Sequence, residues 1–275
     1  MRVYGQFFVF GLLIFCMSAI SYSDETLIEK YNVKLNPSYD GYDYELYGML
    51  NNYLGLTGSE AYSSSVDLFN DRGINPATQW ITNGSSLLHA FNRSAFLHRV
   101  NVLTEEGAEL CRLYDGGENY VPGEVYPLAD GVNLDFQMLP FMPPADDHPN
   151  EEYIWAWYSD QSKNEEGYID NYQGRILEKG DGEIHMLAFD ITDLYNAKMD
   201  ESFTSVYMFA WEDLPSWQWW GTTADFDYND MVVIMTNLTP TIAATPEPAS
   251  MLILLLGGGI IAARRLRLKK NNKRD

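Results

Sequence analysis

Cysteine is almost absent from this chain: Cys16 and Cys111 are the only two among 275 residues. Cys16 lies in an N-terminal apolar run that we expect to be removed, which leaves Cys111 alone. A single cysteine cannot form an internal disulfide. The mature protein must therefore be held together by packing or by a bound metal ion.

Basic residues are also scarce, with 18 lysines and arginines against 39 aspartates and glutamates. Between Asp24 and Thr245 there are 10 basic and 37 acidic residues, a formal charge of about −27. Nucleic acid is excluded as a partner, because binding to phosphates requires a basic surface. Such an acidic excess suits an exported protein that binds cations or stays soluble through its charge.

Histidine is too sparse to suggest a metal or catalytic site of the common kinds. The four histidines lie far apart without metal-ligand spacing: His89, His98, His148 and His185. His185 falls in an apolar strand, where we expect a hydrogen-bonded core role. No Ser-His-Asp order, glycine-rich phosphate loop or zinc pattern is recognisable. The sequence therefore predicts a protein that is not an enzyme.

The N-terminus has the pattern of a secretory signal peptide. Arg2 precedes an apolar run over residues 7–17, and Ser21 and Ser23 stand at the −3 and −1 positions of a cleavage site. A membrane anchor would need roughly 20 apolar residues, and this run is shorter. We therefore expect residues 1–23 to direct export and to be cleaved.

The C-terminus has three parts in a fixed order. A linker at 239–248 ends in Pro246, Glu247 and Pro248, and residues 249–275 contain an apolar stretch followed by basic residues. A helix of about 15 apolar residues reaches roughly 22 Å, which flanking side chains and local thinning can extend across a bilayer. The basic residues would remain on the cytoplasmic side.

This order resembles the PEP-CTERM protein-sorting signal. The resemblance implies export by a Gram-negative bacterium, a transient anchor in the inner membrane, and processing by an exosortase. It also implies delivery to the cell surface or extracellular matrix, often in strains that make exopolysaccharide.

Residues 24–238 are expected to form one β-rich domain. Apolar residues at helical spacing predict a helix from Leu46 that stops at Gly55. The segment 85–100 could be helix or strand. Short strands are predicted later in the chain, in "NLDFQML", "YIWAWYS", "HMLAFDIT", "SVYMFAWE" and "DMVVIMT". Together they predict an antiparallel, jelly-roll-like β-sandwich with a few short N-terminal helices.

Acidic residues are concentrated before the last predicted strand. Asp225, Asp227 and Asn229 alternate and are followed by Asp230, while Glu212 and Asp213 lie a short way upstream. The D-x-D-x-N spacing places oxygen atoms around one point, and calcium takes six to eight oxygen ligands. The loop is not an EF-hand, because Asp230 replaces the sixth-position glycine. These residues could instead initiate tight turns without a metal.

The motifs "FAWEDLP" and "DFDYNDMVV" resemble the paired signature of the domain of unknown function 4114, and "GEIHMLAFDIT" fits the strand before it. The likeness is secure over residues 136–235. It implies an exported β-rich domain with a structural calcium site and no established catalysis. The residues that match the motif are Glu212, Asp213, Asp225, Asp227, Asn229 and Asp230.

The segment "SWQWWGTTA" joins these motifs and carries Trp217, Trp219 and Trp220. Exposed indoles stack on sugar faces, which would make the protein a carbohydrate-binding module for exopolysaccharide. Alternatively, two of the three indoles fold back into the core, because indoles are largely buried on average. Trp155 and Trp157 alternate in a predicted strand and are expected to be core residues.

Overall fold

The computed structural model describes residues 26–37, 42–76, 79–92, 97–104, 106–115, 123–142, 152–153, 155–165, 171–172, 175–176, 180–217 and 224–241. The expected signal peptide, the Pro246–Pro248 motif and the apolar helix with its basic tail lie outside these ranges. Within them, no helix is both long and apolar enough to cross a membrane.

The described residues form short helices and many strands. The α-helices are α1 (Leu27–Tyr31), α2 (Leu46–Leu54), α3 (Ser65–Arg72) and α4 (Thr192–Met199), with 3-10 turns at Tyr42–Tyr44, Gly58–Glu60 and Gln161–Asn164. The strands are β1 (Gln79–Thr82), β2 (Ser86–Asn92), β3 (Leu97–Thr104), β4 (Glu109–Asp115), β5 (Glu124–Tyr126), β6 (Asn133–Met142), β7 (Glu152–Tyr153), β8 (Trp157–Tyr158), β9 (Asn171–Tyr172), β10 (Arg175–Ile176), β11 (Met186–Asp190), β12 (Val206–Trp211), β13 (Met231–Thr236) and β14 (Leu238–Thr241).

Two sheets form the body of the domain. Sheet 1 has the order β11-β12-β13-β2-β5, and sheet 2 has the order β14-β1-β6-β3-β4, with β7 and β8 also paired to β6. Strands β9 and β10 pair separately. Every pairing of named strands is antiparallel over the described residues. The prediction of a mainly β, antiparallel sandwich is confirmed.

The strands β11, β12 and β13 of sheet 1 are buried on both faces, which the sequence did not reveal. On β13, Val233 and Met235 pack into the core between the sheets, whereas Val232 and Ile234 pack against the helices. Side chains alternate between the faces of a strand, so a strand covered on both sides must be apolar throughout. The continuous apolar run "MVVIM" therefore reflects three layers: helices, sheet 1 and sheet 2.

Helix α2 has the limits that its sequence predicts. It begins at Leu46 and ends at Leu54, and Gly55 closes it in the left-handed conformation at φ 63°, which glycine adopts without strain. Gly48, inside the helix, is required for a different reason: a Cβ at this position would overlap the carbonyl oxygen of Tyr42. The 3-10 turn at Tyr42–Tyr44 therefore lies directly against the helix.

The described residues of the ambiguous segment 85–100 supply two strands and no helix. Strand β2 pairs with β13 in sheet 1, and β3 pairs with β4 and β6 in sheet 2. The prediction of a helix in this segment is wrong, because its apolar residues are buried by the strands that pair with it on each side. Tertiary pairing overrides local preference here.

Cys111 is partly buried on β4. Burial, together with the nearby Glu109 carboxylate, raises the pKa of its thiol to about 11. Because only the thiolate reacts, iodoacetamide at pH 8 should label the folded protein roughly 100-fold more slowly than an unperturbed thiol. Mass spectrometry of the labelled protein would measure this rate, and the urea-unfolded chain is the control. Equal rates in the two states would contradict the prediction.

Candidate metal centre

Strand pairing brings the acidic residues together. Trp211, the last residue of β12, pairs with Met231, the first residue of β13. Glu212 and Asp213 follow the first strand directly, and Asp230 precedes the second. Because the strands are antiparallel, the end of one and the start of the other meet at the same edge. The fold therefore unites two motifs that are well separated in sequence.

The carboxylates form two overlapping groups. One oxygen from each of Glu212, Asp225 and Asp227 can be chosen so that all three lie within 4.8 Å of one another, and the same holds for Glu212, Asp213 and Asp230. Glu212 belongs to both groups. Five of the six residues expected at the site thus converge, with Glu212 at the centre.

The loop that supplies Asp225 and Asp227 has an alternating backbone. Phe226 and Tyr228 adopt left-handed conformations at φ 57° and 56°. Both aromatic rings are buried in the cluster between the helices and sheet 1, and the Tyr228 hydroxyl donates to the carbonyl oxygen of Ile184 at 2.7 Å. The two buried rings fix the position of the loop. Asp225 and Asp227, which alternate with them along the chain, lie beside Glu212.

Hydrogen bonds tie the end of β12 to this loop. Glu212 accepts from the backbone nitrogen of Phe226 at 2.7 Å and from that of Leu214 at 3.2 Å. Asp230 accepts from the backbone nitrogen of Asp213 at 2.9 Å. The carboxylates are therefore held in place by backbone donors on both strand ends.

Asn229, the sixth expected residue, buttresses Asp227. Its side-chain nitrogen donates to an Asp227 carboxylate oxygen at 2.7 Å and to the carbonyl oxygen of Tyr44 at 2.8 Å. Its backbone nitrogen donates to the other Asp227 oxygen at 3.2 Å. The loop is thereby connected to the 3-10 turn that precedes α2.

Sequence reasoning missed His98, which lies on β3 of the opposite sheet. Its Nε2 donates to a carboxylate oxygen of Asp213 at 2.9 Å, and both side chains are buried. The indole nitrogens of Trp155 and Trp157 donate to the backbone oxygen of Asp213 at 2.5 and 2.9 Å. The only sequence signal was a polar residue in an apolar strand, because 115 residues separate His98 from Asp213.

His185 has the hydrogen-bonded core role expected of it. Its Nδ1 donates to the backbone oxygen of Glu212 and its Nε2 to Asp181, both at 3.0 Å. The ring stacks on Trp157 with centroids 3.5 Å apart. Burial alone would raise the pKa of Asp181, but hydrogen bonds from His185 and backbone nitrogens outweigh it and lower the pKa to about 2. Asp181 is a second residue that sequence reasoning missed.

The pKa values of Glu212 and Asp230 are raised well above normal. Burial is the largest cause for both, and repulsion from neighbouring carboxylates adds to it. Among the described lysines and arginines, none forms an ion pair with either group. The cluster therefore needs protons or a cation to relieve its charge.

These raised pKa values predict the pH dependence of the metal-free protein. A carboxyl group whose pKa is higher in the folded state binds protons more readily there, so stability falls as the pH rises from about 4, the unfolded value, through the folded value. In chelator, the melting temperature should therefore decrease between pH 5 and pH 8.

Asp230→Asn should weaken this decrease, because asparagine keeps the oxygen that accepts from Asp213 but carries no charge. At pH 8 in chelator we expect the variant to unfold about 2–6 °C above the wild type. Melting curves at the two pH values measure the effect. Glu201→Gln, which removes an exposed charge, is the control, and an identical gain from it would assign the effect to net charge alone.

The tryptophans divide as follows. Trp155 and Trp157 are fully buried, which confirms their core role. Trp217 is partly buried and packs edge-on against Trp155, with ring centroids 6.3 Å apart. Its indole nitrogen is enclosed and has no hydrogen-bond partner in the described part of the chain. Trp219 and Trp220 lie outside the described residues. Trp217 thus contacts the core, as one of the two alternatives expected.

Comparisons with known proteins return no similarity that could assign a family. No protein-family model matches the chain, and no curated protein matches it.

Proposed function

We propose that this chain is an exported, non-catalytic protein of the cell envelope or extracellular matrix of a Gram-negative bacterium, with a jelly-roll-like sandwich stabilised by calcium. Residues 1–23 support export. The sorting pattern at 246–275 supports a transient inner-membrane anchor and processing by an exosortase. The repeated passage of the chain between the two sheets supports the jelly-roll description.

The observation that carries the calcium proposal is the pair of carboxylate triplets around Glu212. Neither triplet includes histidine or cysteine, the ligands that zinc prefers, and hard oxygen donors suit calcium. The raised pKa values of Glu212 and Asp230 indicate that these oxygens repel one another without a cation. A calcium ion held by Glu212 and the neighbouring carboxylates would offset that repulsion.

A structural role fits these groups better than a catalytic one. Glu212 and Asp213 are 0% and 1% exposed, which leaves no room for a substrate between them. Both are also engaged by backbone or histidine hydrogen bonds. Two carboxylates that hydrolyse a glycoside must flank the sugar instead.

Calcium titration followed by thermal unfolding tests the proposal. Extracellular calcium modules bind with dissociation constants of about 0.1–1 mM, so 5 mM calcium should add about 1–2 kcal/mol to the free energy of unfolding. For a domain of this size the melting temperature should rise by roughly 2–8 °C over chelator. Asp227→Ala should abolish the rise.

Asp225→Asn is a second variant, because Asp225 is partly exposed and its substitution should not disturb folding. It should also abolish the calcium effect, whereas Glu201→Ala, an exposed acidic control, should keep it. Magnesium and zinc at the same concentration should stabilise less than calcium. Identical melting curves in calcium and in chelator would remove the metal from the proposal.

A further inference from the structure

A groove of about 330 Å³ lies on the helical side of the domain. It is bounded by residues 35–37, the start of α2, and the start of α3. Its wall carries hydrogen-bonding side chains, including Asn36, Glu45 and Ser63, next to the apolar surfaces of Tyr47 and Val66. Pockets that mix apolar walls with a few polar groups are the usual form of small-molecule sites.

The unused hydrogen-bonding capacity in this groove consists mainly of acceptors. Glu45 accepts from the Ser65 hydroxyl through one oxygen, and its other oxygen has no partner among the described residues. Asn36 uses its side-chain nitrogen on the carbonyl oxygen of Asp225 at 2.6 Å, which leaves its amide oxygen. Ser63 donates its proton to Asp67 at 2.6 Å. The matching ligand must therefore supply hydroxyl or amine donors.

A tyrosine ring adds to the groove an apolar surface on which a sugar ring can stack. Tyr47 lines the groove, and Tyr42 lies against it with ring centroids 5.3 Å apart. Tyr42 and Tyr44 lie outside the groove lining and are 47% and 39% exposed. Tyrosine presents a flat apolar face with a polar tip, which suits a ring that has C–H groups on one face and hydroxyls around its edge.

The negative charge of the protein limits which hydrogen-bond-donating ligands can bind in the groove. Glu45 and the strongly acidic chain repel anionic ligands, including acidic sugars. The apolar rings favour a neutral pyranose over a small ammonium ion, because the polar edge and the apolar face of the sugar are both satisfied in the same groove.

We propose that this groove binds neutral sugar residues of a polysaccharide, and that calcium in the acidic loop holds its walls in place. The role of calcium in holding the groove walls rests on the calcium site proposed above. Asn36 donates its backbone nitrogen to the carbonyl oxygen of Phe226 at 2.9 Å as well as its amide to Asp225. Next to Glu45 of the other wall, the carbonyl oxygen of Tyr44 accepts from the side chain of Asn229. Both walls are thus attached to the loop that carries the metal ligands.

Affinity electrophoresis of the purified full-length protein tests the groove. The gels contain dextran, galactomannan or xylan as neutral polymers, alginate as an anionic one, and chitosan as a cationic one. With calcium present, at least one neutral polymer should retard the protein, and alginate should not. Glu45→Gln and Tyr47→Ala should each weaken the binding about tenfold, the equivalent of one good contact.

Valine substitutions provide a matched pair, because Val66 borders the groove and Val125 is exposed on β5, outside the groove lining. Val66→Lys should block binding and Val125→Lys should not. Circular dichroism would verify that each variant is folded. No retardation by any neutral polymer, retardation by chitosan alone, or equal effects of the two lysine variants would overturn the groove site.

Polymer binding is measured in calcium and in chelator, and the melting temperature is measured separately. The groove site and the calcium site can then be contradicted independently. If calcium raises the melting temperature but no neutral polymer binds, the groove proposal is overturned and the metal site stands. If a neutral polymer binds equally in calcium and in chelator, the sugar site stands and the link between the two is overturned. Loss of retardation in chelator, restored by calcium, supports both.

Discussion

His98→Ala is expected to lower the free energy of unfolding by about 3–5 kcal/mol, because it removes a buried side chain together with its hydrogen bond to a buried carboxylate. His98 and Asp213 have side-chain exposures of 0% and 2%, and their hydrogen bond is 2.9 Å long. Without the imidazole, the Asp213 charge would face Glu212 and Asp230 in the same buried cluster. Repulsion then adds to the cost of desolvation.

Urea denaturation of the wild type and the variant measures this loss. His89→Ala is the control, because His89 lies on β2 and is only partly buried; its cost should stay below about 1 kcal/mol. The double variant His98→Ala/Asp213→Asn should be more stable than His98→Ala alone, since it no longer buries a charge. A double variant that loses the sum of both single effects would show that the His98–Asp213 hydrogen bond is not the cause.

Trp157→Ala is expected to cost about 3–5 kcal/mol, as is usual for removing a buried aromatic side chain. Trp157 is fully buried between the sheets. It also stacks on His185 and donates to the backbone oxygen of Asp213. Its loss should therefore disturb the core and also loosen the position of Glu212, which His185 holds through a hydrogen bond.

Two phenylalanine substitutions separate these contributions. Trp80 is also fully buried in the core, but its indole nitrogen has no hydrogen-bond partner among the described residues. Trp157→Phe and Trp80→Phe remove the same volume, yet only the first removes a hydrogen bond. We expect Trp157→Phe to cost about 1–3 kcal/mol more and to weaken the calcium stabilisation as well. Equal costs in urea would show that Trp157 acts through volume alone.

Some of the metal centre could be predicted from the sequence. Asp225, Asp227 and Asn229 are close along the chain, and short-range spacing limits where their side chains can go. Asp230 follows them directly, and Glu212 lies in the upstream motif "FAWEDLP" that could complete the ligand set. Their division into two groups sharing Glu212 could not be predicted, because it depends on the register that pairs Trp211 with Met231.

Long-range partners could not be predicted at all. His98 reaches Asp213 only because β3 and β12 belong to sheets packed face to face, and no local pattern encodes that packing. The segment 85–100 is a further example. The spacing of its apolar residues is compatible with a helix, and only pairing with neighbouring strands makes it β-structure.

The sequence by itself determined the local structure: α2 from Leu46 to its stop at Gly55, the apolar strands, the acidic excess, and the close spacing of the carboxylates. These features depend on backbone preferences and covalent neighbours, which act within a few residues. Only the tertiary structure decided that helices cover sheet 1, that His98 faces Asp213, and that Glu212 lies between two sets of carboxylates. Burial and Coulomb repulsion depend on distances in space, and those are fixed only when the sheets pack.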